Sequence, residues 1–223
     1  KKVICSFINA NIEKILSLEP DLVIGYSDIQ AEIAKKLIKR GITVWINNYR
    51  NIDGIKIMIN QLGLLVGKQN ISIKLTNQID KEIKRIKDNS SKLSSKPKVY
   101  FEEWFDPIIS SIKWVSEIIE VCGGENFCNS INAGSLAKDR IISNDSEIIS
   151  FNPDIILVSW CGKKFRKEKM VSRKKWNLIN AVKNNEIYEI DSSIILQPGP
   201  AALTDGLKII NNIIQKWCSK QTK

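Results

Sequence analysis

The chain has 223 residues, of which 34 are basic and 24 acidic, so its formal net charge is +10 and its pI is near 9.3. A nucleic-acid-binding surface concentrates basic residues on one face or arm. Here lysines are spread along the chain, and the densest groups, within 81–87 and 163–175, are interrupted by Glu82 and Glu168. We therefore expect no nucleic-acid partner. The chain has no histidine and its five cysteines form no CxxC pair, so we expect neither a metal site nor catalytic residues.

The length allows one large core or two cores of about 100 residues each. No apolar run approaches the roughly 20 residues that a membrane-spanning helix needs. The apolar part of 1–8 is too short for a secretory signal, so we expect no signal sequence within this chain; either it was removed, or the chain is a fragment, or it is cytosolic. The sequence leaves open whether Cys122 pairs with Cys128, pairs with Cys218 or remains a thiol.

Two segments are near copies: residues 15–24 read ILSLEPDLVI and residues 148–157 read IISFNPDIIL. In each copy a helix should end before the proline, Pro20 or Pro153, because proline disfavours helical geometry in the residue before it. The apolar runs that follow predict strands buried on both faces, as in a parallel sheet. Ligands of such sheets bind outside the carboxyl ends of the strands. The duplication therefore predicts two similar lobes with a ligand between them.

In chain order, the first lobe is predicted to contain a strand over 22–24, a helix over 30–40, a strand over 42–46 and a helix over 52–66. A long amphipathic helix follows over 69–93, since apolar residues recur there mostly every fourth position. The second lobe is predicted to contain the following elements: strands over 98–101, 155–158 and 187–190, and helices over 112–121, 176–183 and 201–217. We assign 1–68 to an N-terminal α/β lobe, 69–95 to a connecting helix and 96–223 to a C-terminal α/β lobe.

Several segments of the second lobe carry a family resemblance: residues 102–104 (EEW), 114–117 (WVSE), 122–126 (CGGEN), 153–156 (PDII), 159–165 (SWCGKKF) and 196–200 (LQPGP). In these segments the chain resembles the cobalamin-binding periplasmic proteins. They belong to the class III, helical-backbone substrate-binding proteins of ABC importers, which also include ferric-siderophore and haem binders. The resemblance covers nearly the whole chain and implies two lobes with mainly parallel sheets, joined by one long α-helix.

The resemblance also implies a role. It implies a monomer outside the cytoplasm, in the periplasm or its equivalent, that captures a corrinoid between the lobes and delivers it to an ABC importer permease. Contact with a membrane would come only through the transporter or a lipid anchor. By the resemblance Glu32 meets the permease. The matching part of the second lobe, 194–197, has no acidic residue, so either Asp191 or Asp205 substitutes there or docking differs. The family normally begins with a further strand and helix, so the first lobe here lacks its opening unit, and an inactive fragment is an alternative.

The predicted ligand site consists of residues near carboxyl ends of strands. A corrin is a flat, partly apolar disc fringed with amides, so aromatic surfaces and hydrogen-bonding groups should surround it. Four aromatic residues have such positions: Tyr26, Trp45, Trp104 and Trp160. By the resemblance, Tyr26 and Trp45 match positions where the family places aromatic residues against the corrinoid. The polar candidates are Ser27, Asp28, Glu103, Cys161 and Gln197.

Other interpretations remain open for these residues. Trp45 also suits a core position within an apolar strand, and the polar candidates suit turns that face water. Trp114, Trp176 and Trp217 lie on predicted helices and are interpreted as packing residues. A haem or ferric-siderophore binder of the same fold is the nearest alternative ligand class, since Arg166 and Arg173 could bind an anion. No catalytic cofactor is expected.

Overall fold

The structure, a computed structural model, describes residues 9–127 and 136–221. The chain folds as two compact units, of which the first ends at Tyr49 and the second begins at Arg50. The segment at 1–8 and the thiol of Cys128 lie outside the described residues. Within the described part of the chain, no helix is both long and apolar enough to cross a membrane.

The described part of the first unit pairs a small parallel sheet with short helices. Its elements are α1 (Ile12–Leu16), β1 (Val23–Tyr26), a 3₁₀ turn (Asp28–Gln30), α2 (Ala31–Ile38) and β2 (Val44–Asn47). The Asn11 side chain accepts a hydrogen bond from the Lys14 N–H at 3.0 Å and so caps α1. In the sheet, Val23 lies opposite Val44 and Tyr26 lies opposite Asn47.

The first strand differs from its prediction in one respect. The sequence predicts burial on both faces, but Ile24 is 48% exposed. Among the described residues this sheet has two strands, so the side chains of β1 have a strand neighbour on one side within that part of the chain. Ile15, Ala34 and Leu37 are buried and form the core of this unit.

The second unit combines a mixed sheet with the remaining helices. Its α-helices are α3 (Ile52–Leu65), α4 (Gln69–Ser90), α5 (Lys113–Val121), α6 (Ser146–Phe151), α7 (Lys167–Val171), α8 (Asn180–Lys183), α9 (Ser192–Ile195) and α10 (Leu207–Gln221). Its strands are β3 (Lys98–Trp104), β4 (Ile109–Ser110), β5 (Glu125–Asn126), β6 (Ile155–Val158) and β7 (Ile187–Glu189). Short 3₁₀ turns span Ala137–Arg140 and Trp176–Leu178, and a π-helical turn, Ala202–Gly206, leads into α10.

The sheet of the second unit is mainly parallel. Its strand order is β4-β3-β6-β7, and β5 also pairs with β3. The pairs β3–β5, β3–β6 and β6–β7 are parallel, whereas β4 is antiparallel to β3. Residues 155–158 of β6 are all 0% exposed, which confirms the prediction of a strand covered on both faces. The carboxyl ends of β3, β6 and β7 consequently share one edge of the sheet.

The long helix predicted over 69–93 is α4, which forms a hairpin with α3. The two helices approach closely at Gly63, where an added Cβ would lie 2.2 Å from the Ser72 hydroxyl oxygen. At the other end of α4, the Ser90 hydroxyl donates a hydrogen bond to the Val121 carbonyl at 2.9 Å and ties α4 to α5. Gly63 and Ser90 therefore fix α4 against its neighbours.

The architecture is α/β with mainly parallel sheets and one long helix, as the sequence predicts. In both near copies a helix precedes the proline and a strand follows it. Trp114 and Trp176 are 0% exposed, which confirms them as packing residues. Cys122 is a buried free thiol, so neither of the disulfides considered for it is present. The domain limits at 68 and 95 remain a prediction.

Candidate ligand-binding site

A cavity of about 500 Å³ lies at the edge of the second unit where β6 and β7 end. Its walls come from the segment after β6 and from the end of β7 with the residues that follow it: Trp160, Gly162, Lys163, Lys164, Glu189, Ile190, Asp191 and Ser192. This is the position at which open α/β sheets bind ligands. The lining combines one indole with charged and hydroxyl groups.

Trp160 forms a rigid wall of the cavity. It is 6% exposed, and its indole N–H donates a hydrogen bond to the Glu102 carboxylate at 3.1 Å. The rings of Phe105 and Phe165 contact it at centroid distances of 5.0 and 5.1 Å. Trp160 therefore both packs in the core and lines the cavity.

Trp104 is the more accessible of the two indoles, at the end of β3. It is partly exposed, and its N–H donates a hydrogen bond to the Asp106 carbonyl at 2.9 Å. The Lys163 ammonium lies 4.4 Å from its ring centroid, which is within cation–π range. Because Lys163 also lines the cavity, it connects the Trp104 ring to the cavity wall.

A buried ion pair supports this wall. Glu102 is 0% exposed, and its two carboxylate oxygens accept hydrogen bonds from the Arg173 guanidinium at 2.6 and 3.1 Å. Arg173 also lies 4.5 Å from the ring centroids of Phe105 and Trp176. Burial raises the pKa of Glu102, against the opposing effects of Arg173 and of hydrogen bonds from Tyr100 and Trp160. Arg173 is thus engaged within the fold, and the anion-binding role considered for it is not supported.

The other predicted residues of this unit have different surroundings. Glu103 accepts two hydrogen bonds from the buried Arg140 guanidinium, at 2.5 and 3.2 Å, so its carboxylate is already paired. Cys161 is exposed beside Trp160, and partial burial together with the Glu103 charge raises the pKa of its thiol. Gln197 is exposed in the turn after α9. Of the residues predicted for the ligand site in this unit, Trp160 lines the cavity directly, while Cys161 and Trp104 adjoin lining residues.

In the first unit three of the predicted residues, Tyr26, Ser27 and Asp28, lie at the carboxyl end of β1. The Tyr26 N–H donates a hydrogen bond to the Gln30 side chain at 2.7 Å, and the buried Ser27 hydroxyl donates to the Asp28 carboxylate at 2.6 Å. Trp45 is partly buried within β2, opposite Ile24. Glu32, the predicted permease contact, is exposed on α2.

Several cavity residues escape the sequence prediction of the ligand site: Lys163, Lys164, Glu189, Ile190 and Ser192. The end of the strand predicted over 187–190 is the signal for Glu189, Ile190 and Ser192, and the end of the strand predicted over 155–158 is the signal for Lys163 and Lys164, since parallel strands place their carboxyl ends at the ligand edge. Aromatic residues alone do not mark this edge, because the loop after β7 contains none. Asp191, considered only for docking, also lines the cavity, and hydrogen bonds from Ser193 hold the pKa of its carboxyl below the usual range.

A family model described as "Periplasmic binding protein" matches residues 2–194, and the chain belongs to this family. It is 28% identical over 205 residues to the uncharacterized ABC transporter substrate-binding lipoprotein YvrC of Bacillus subtilis. This alignment covers 86% of this chain and 62% of YvrC. It is 24% identical over 191 residues to the high-affinity heme uptake system protein IsdE of Staphylococcus aureus, covering 81% of this chain and 63% of IsdE. The chain thus spans less than two thirds of these relatives.

Solved structures share the fold. A substrate-binding protein of an ABC transporter from Listeria monocytogenes aligns with a TM-score of 0.78 and 22% identity, covering 95% of this chain and 83% of that one. IsdE of S. aureus complexed with heme aligns with a TM-score of 0.76 and 19% identity, and the alignment covers 93% of this chain and 81% of IsdE. The vitamin B12 binding protein BtuF of Vibrio cholerae aligns with a TM-score of 0.72 and 19% identity, and the alignment covers 97% of this chain and 82% of BtuF. These relatives are binding and uptake proteins, not enzymes.

Proposed function

We propose that this protein is the substrate-binding component of an ABC importer and that it captures a corrinoid such as cobalamin, vitamin B12, for delivery to the permease. The observation that carries the proposal is the cavity at the carboxyl ends of β6 and β7, with its indole wall and its surrounding hydrogen-bonding groups. A partly apolar disc with an amide fringe requires both kinds of surface. Membership of the periplasmic binding protein family supports the transport role.

The charges of the cavity favour an uncharged fringe. Lys163 and Lys164 are balanced in the lining by Glu189 and Asp191. A cavity with balanced charges favours neutral amides over a polyanion, because an anion would gain from the lysines and lose against the carboxylates. This balance is the reason for placing a corrinoid ahead of an anionic siderophore.

Metal coordination points in the same direction. Haem iron is usually held by an axial histidine, methionine, cysteine or tyrosine of the protein. This chain has no histidine, and its two methionines, Met58 and Met170, are buried at 8% and 0% exposure. A corrinoid needs no such residue, because its ring and its own lower base hold the cobalt. Neither histidine nor an accessible methionine is therefore offered to haem iron, so haem binding would depend on a thiol or a phenol, whereas corrinoid binding would not.

Haem is the second candidate, since IsdE is named for heme uptake. Lys163 and Lys164 could pair with its propionates, and the exposed thiol of Cys161, which adjoins the lining, could reach the iron. The vitamin B12 binding protein BtuF supports the corrinoid instead. The two ligands differ in the residues they require, and this difference can be tested.

We further propose that the first unit completes the site. Its residues at the end of β1 (Tyr26, Ser27 and Asp28), together with Trp45, would also contact the ligand, and Glu32 would contact an arginine of the permease. The second unit would add Trp104, Glu103, Cys161 and Gln197 around the cavity. The proposal includes a monomer that works outside the cytoplasm, in line with the lipoprotein name of YvrC.

The test is a titration of the purified chain with cyanocobalamin, with haemin and ferrichrome as alternative ligands, followed by tryptophan fluorescence and by the absorbance of each ligand. We expect saturable binding of cyanocobalamin, weakened about tenfold by Trp104→Ala through the loss of its stacking surface. Trp217→Ala on α10 is the matched control and should leave the affinity unchanged. Alkylation of Cys161 should slow when the ligand is bound, because the thiol adjoins the cavity wall.

The alternatives predict other results. A shifted haemin absorbance that Cys161→Ser abolishes, without cyanocobalamin binding, would establish the haem binder. Absence of binding for all three ligands by a cooperatively folded chain would reject the corrinoid assignment. Absence of binding by a chain that does not melt cooperatively would favour an inactive fragment.

A further inference from the structure

The turn between α3 and α4 exposes an unusual number of large aliphatic side chains. We call residues 64–74 the hairpin tip. Four side chains within it are more than half exposed: Leu64 at 63%, Leu65 at 58%, Val66 at 65% and Ile71 at 64%. Single exposed aliphatic residues are common on protein surfaces, but four adjoining ones at a turn mark an interaction site.

The charges around the hairpin tip all have one sign. Residues 54–79 include three lysines and no aspartate or glutamate. Lys56 is bound by Asp53 and Asp80, whereas Lys68 and Lys74 are exposed and form no ion pair within the described residues. The tip also contains the amino-terminal end of α4, which bears the positive end of the helix dipole and has no acidic residue in its first turn.

The shape of the tip limits its occupant. It is the end of a helical hairpin, so its four aliphatic side chains form a small patch rather than a broad face. A stable protein interface buries about 800 Å² on each partner and draws on roughly 20–30 residues a side, whereas the hairpin tip consists of residues 64–74 only. A bilayer needs no such area, since aliphatic side chains and flanking lysines together bind the headgroup region.

We infer that the hairpin tip is a membrane-contact element that inserts Leu64, Leu65, Val66 and Ile71 into the interface of an anionic phospholipid bilayer, with Lys68 and Lys74 against the lipid phosphates. The inference goes beyond the proposed function, because it requires neither a corrinoid nor a permease. Its consequence is that the protein contacts the membrane surface through its own fold. It would then be concentrated near membrane-embedded partners without a change in the ligand cavity.

The experiment is sedimentation of the purified chain with vesicles of phosphatidylcholine alone and of phosphatidylcholine mixed with phosphatidylglycerol. We expect binding to the anionic vesicles only, weakening as salt is added. The variant Leu64→Ser/Val66→Ser/Ile71→Ser should lose most of the binding. The variant Lys68→Gln/Lys74→Gln should weaken it by about fivefold or more for each lysine. Because all these side chains are exposed, both variants should keep the thermal midpoint of the unmodified chain.

Two controls separate the tip from the rest of a basic surface. Ile38→Ser/Leu178→Ser removes aliphatic side chains that are 60% and 51% exposed elsewhere. Lys138→Gln/Lys183→Gln removes the same charge from other exposed positions. Both should retain vesicle binding. If Lys138→Gln/Lys183→Gln weakened vesicle binding as much as Lys68→Gln/Lys74→Gln does, binding would depend on the overall positive charge of the chain and the inference would be overturned.

Three further results would also overturn it. They are no sedimentation with either vesicle, equal sedimentation with both, and a dimer in light scattering that the aliphatic variant abolishes. The dimer would identify the tip as a contact between copies of the chain. If the aliphatic variant fails to fold, the lysine variant decides alone, since it leaves the apolar side chains untouched.

Discussion

Replacing Arg173 by methionine removes the cation that neutralises a fully buried carboxylate. In the native chain Arg173 donates two hydrogen bonds to Glu102 and a third to the Phe105 carbonyl at 3.1 Å. Methionine keeps part of the side-chain volume but offers neither a charge nor a donor. Glu102 would then retain hydrogen bonds from Tyr100 and Trp160 but no opposing charge in contact with it.

The expected loss of stability is about 3–5 kcal/mol, which is typical when one partner of a buried ion pair is removed. Glu102 is 0% exposed and the Arg173 side chain 12%, so solvent does not screen this pair as it screens a surface salt bridge. Part of the loss comes from the two ring contacts of Arg173, for which cation–π interactions of about 0.5–2 kcal/mol each are usual.

The loss should depend on pH. Burial already raises the pKa of Glu102 above its usual value of 4.5 in the native protein, and removal of Arg173 raises it further. A carboxyl group with a raised pKa in the folded state penalises folding above that pKa, and the penalty vanishes below the pKa of the unfolded chain. The stability gap between Arg173→Met and the native chain should therefore be large at neutral pH and should narrow as the pH falls toward 4.5.

Urea unfolding at neutral and at mildly acidic pH measures this gap. Arg166→Met is the matched control, because Arg166 is an exposed arginine of the same basic segment. The double variant Glu102→Gln/Arg173→Met should lose the pH dependence. A gap that stays constant with pH would refute the reasoning, since it would assign the whole loss to packing on Phe105 and Trp176.

Three further predictions concern other parts of the chain. Gly63→Ala should destabilise by about 2–3 kcal/mol through its clash with Ser72, whereas Gly199→Ala, with no neighbour within 4 Å, should stay within about 0.5 kcal/mol in urea unfolding. Burial and the hydrogen bond to Glu186 raise the pKa of Tyr188 to about 12. The stabilisation of the folded chain by protonated Tyr188 should therefore persist to pH 10 and fall between pH 10 and 12. Titration followed by ultraviolet absorbance should show one tyrosine that ionises at higher pH than usual, and Tyr188→Phe should remove that step. A titration curve that this substitution leaves unchanged would contradict the assignment. Cys161 should react with a thiol reagent faster than the buried Cys122, and Cys161→Ser should remove the faster reaction.

The regular elements follow from local sequence patterns. The strand predicted over 155–158 and the helix predicted over 52–66 match β6 and α3 to within one residue. Proline, glycine and apolar periodicity act over a few residues, so a single sequence is enough to place these elements. The helix predicted over 69–93 ends at Ser90, where the Ser90 side chain is bound to α5.

The candidate site is less predictable because its decisive contacts join distant residues. Both Trp104 and Trp160 follow strands and look equivalent in the sequence. Trp160 is nevertheless buried, because it is hydrogen-bonded to Glu102, which lies 58 positions away along the chain. The partner of Arg173 is the same Glu102, at a separation of 71 residues. No local pattern reports such a pair, and the ion pair therefore escapes prediction.

This buried pair changes how the charge of the site should be interpreted. Counting basic residues in 163–175 suggests a site for an anion, but Arg173 is neutralised within the fold by Glu102. The lysines that do reach the cavity are matched by Glu189 and Asp191, which the sequence places far away after another strand. The charge of a site depends on which ends of strands meet, and here it makes the formal charge of +10 a poor guide to the ligand. A neutral, amide-fringed ligand agrees with the cavity, while the excess of lysine agrees better with a surface role such as that of the hairpin tip.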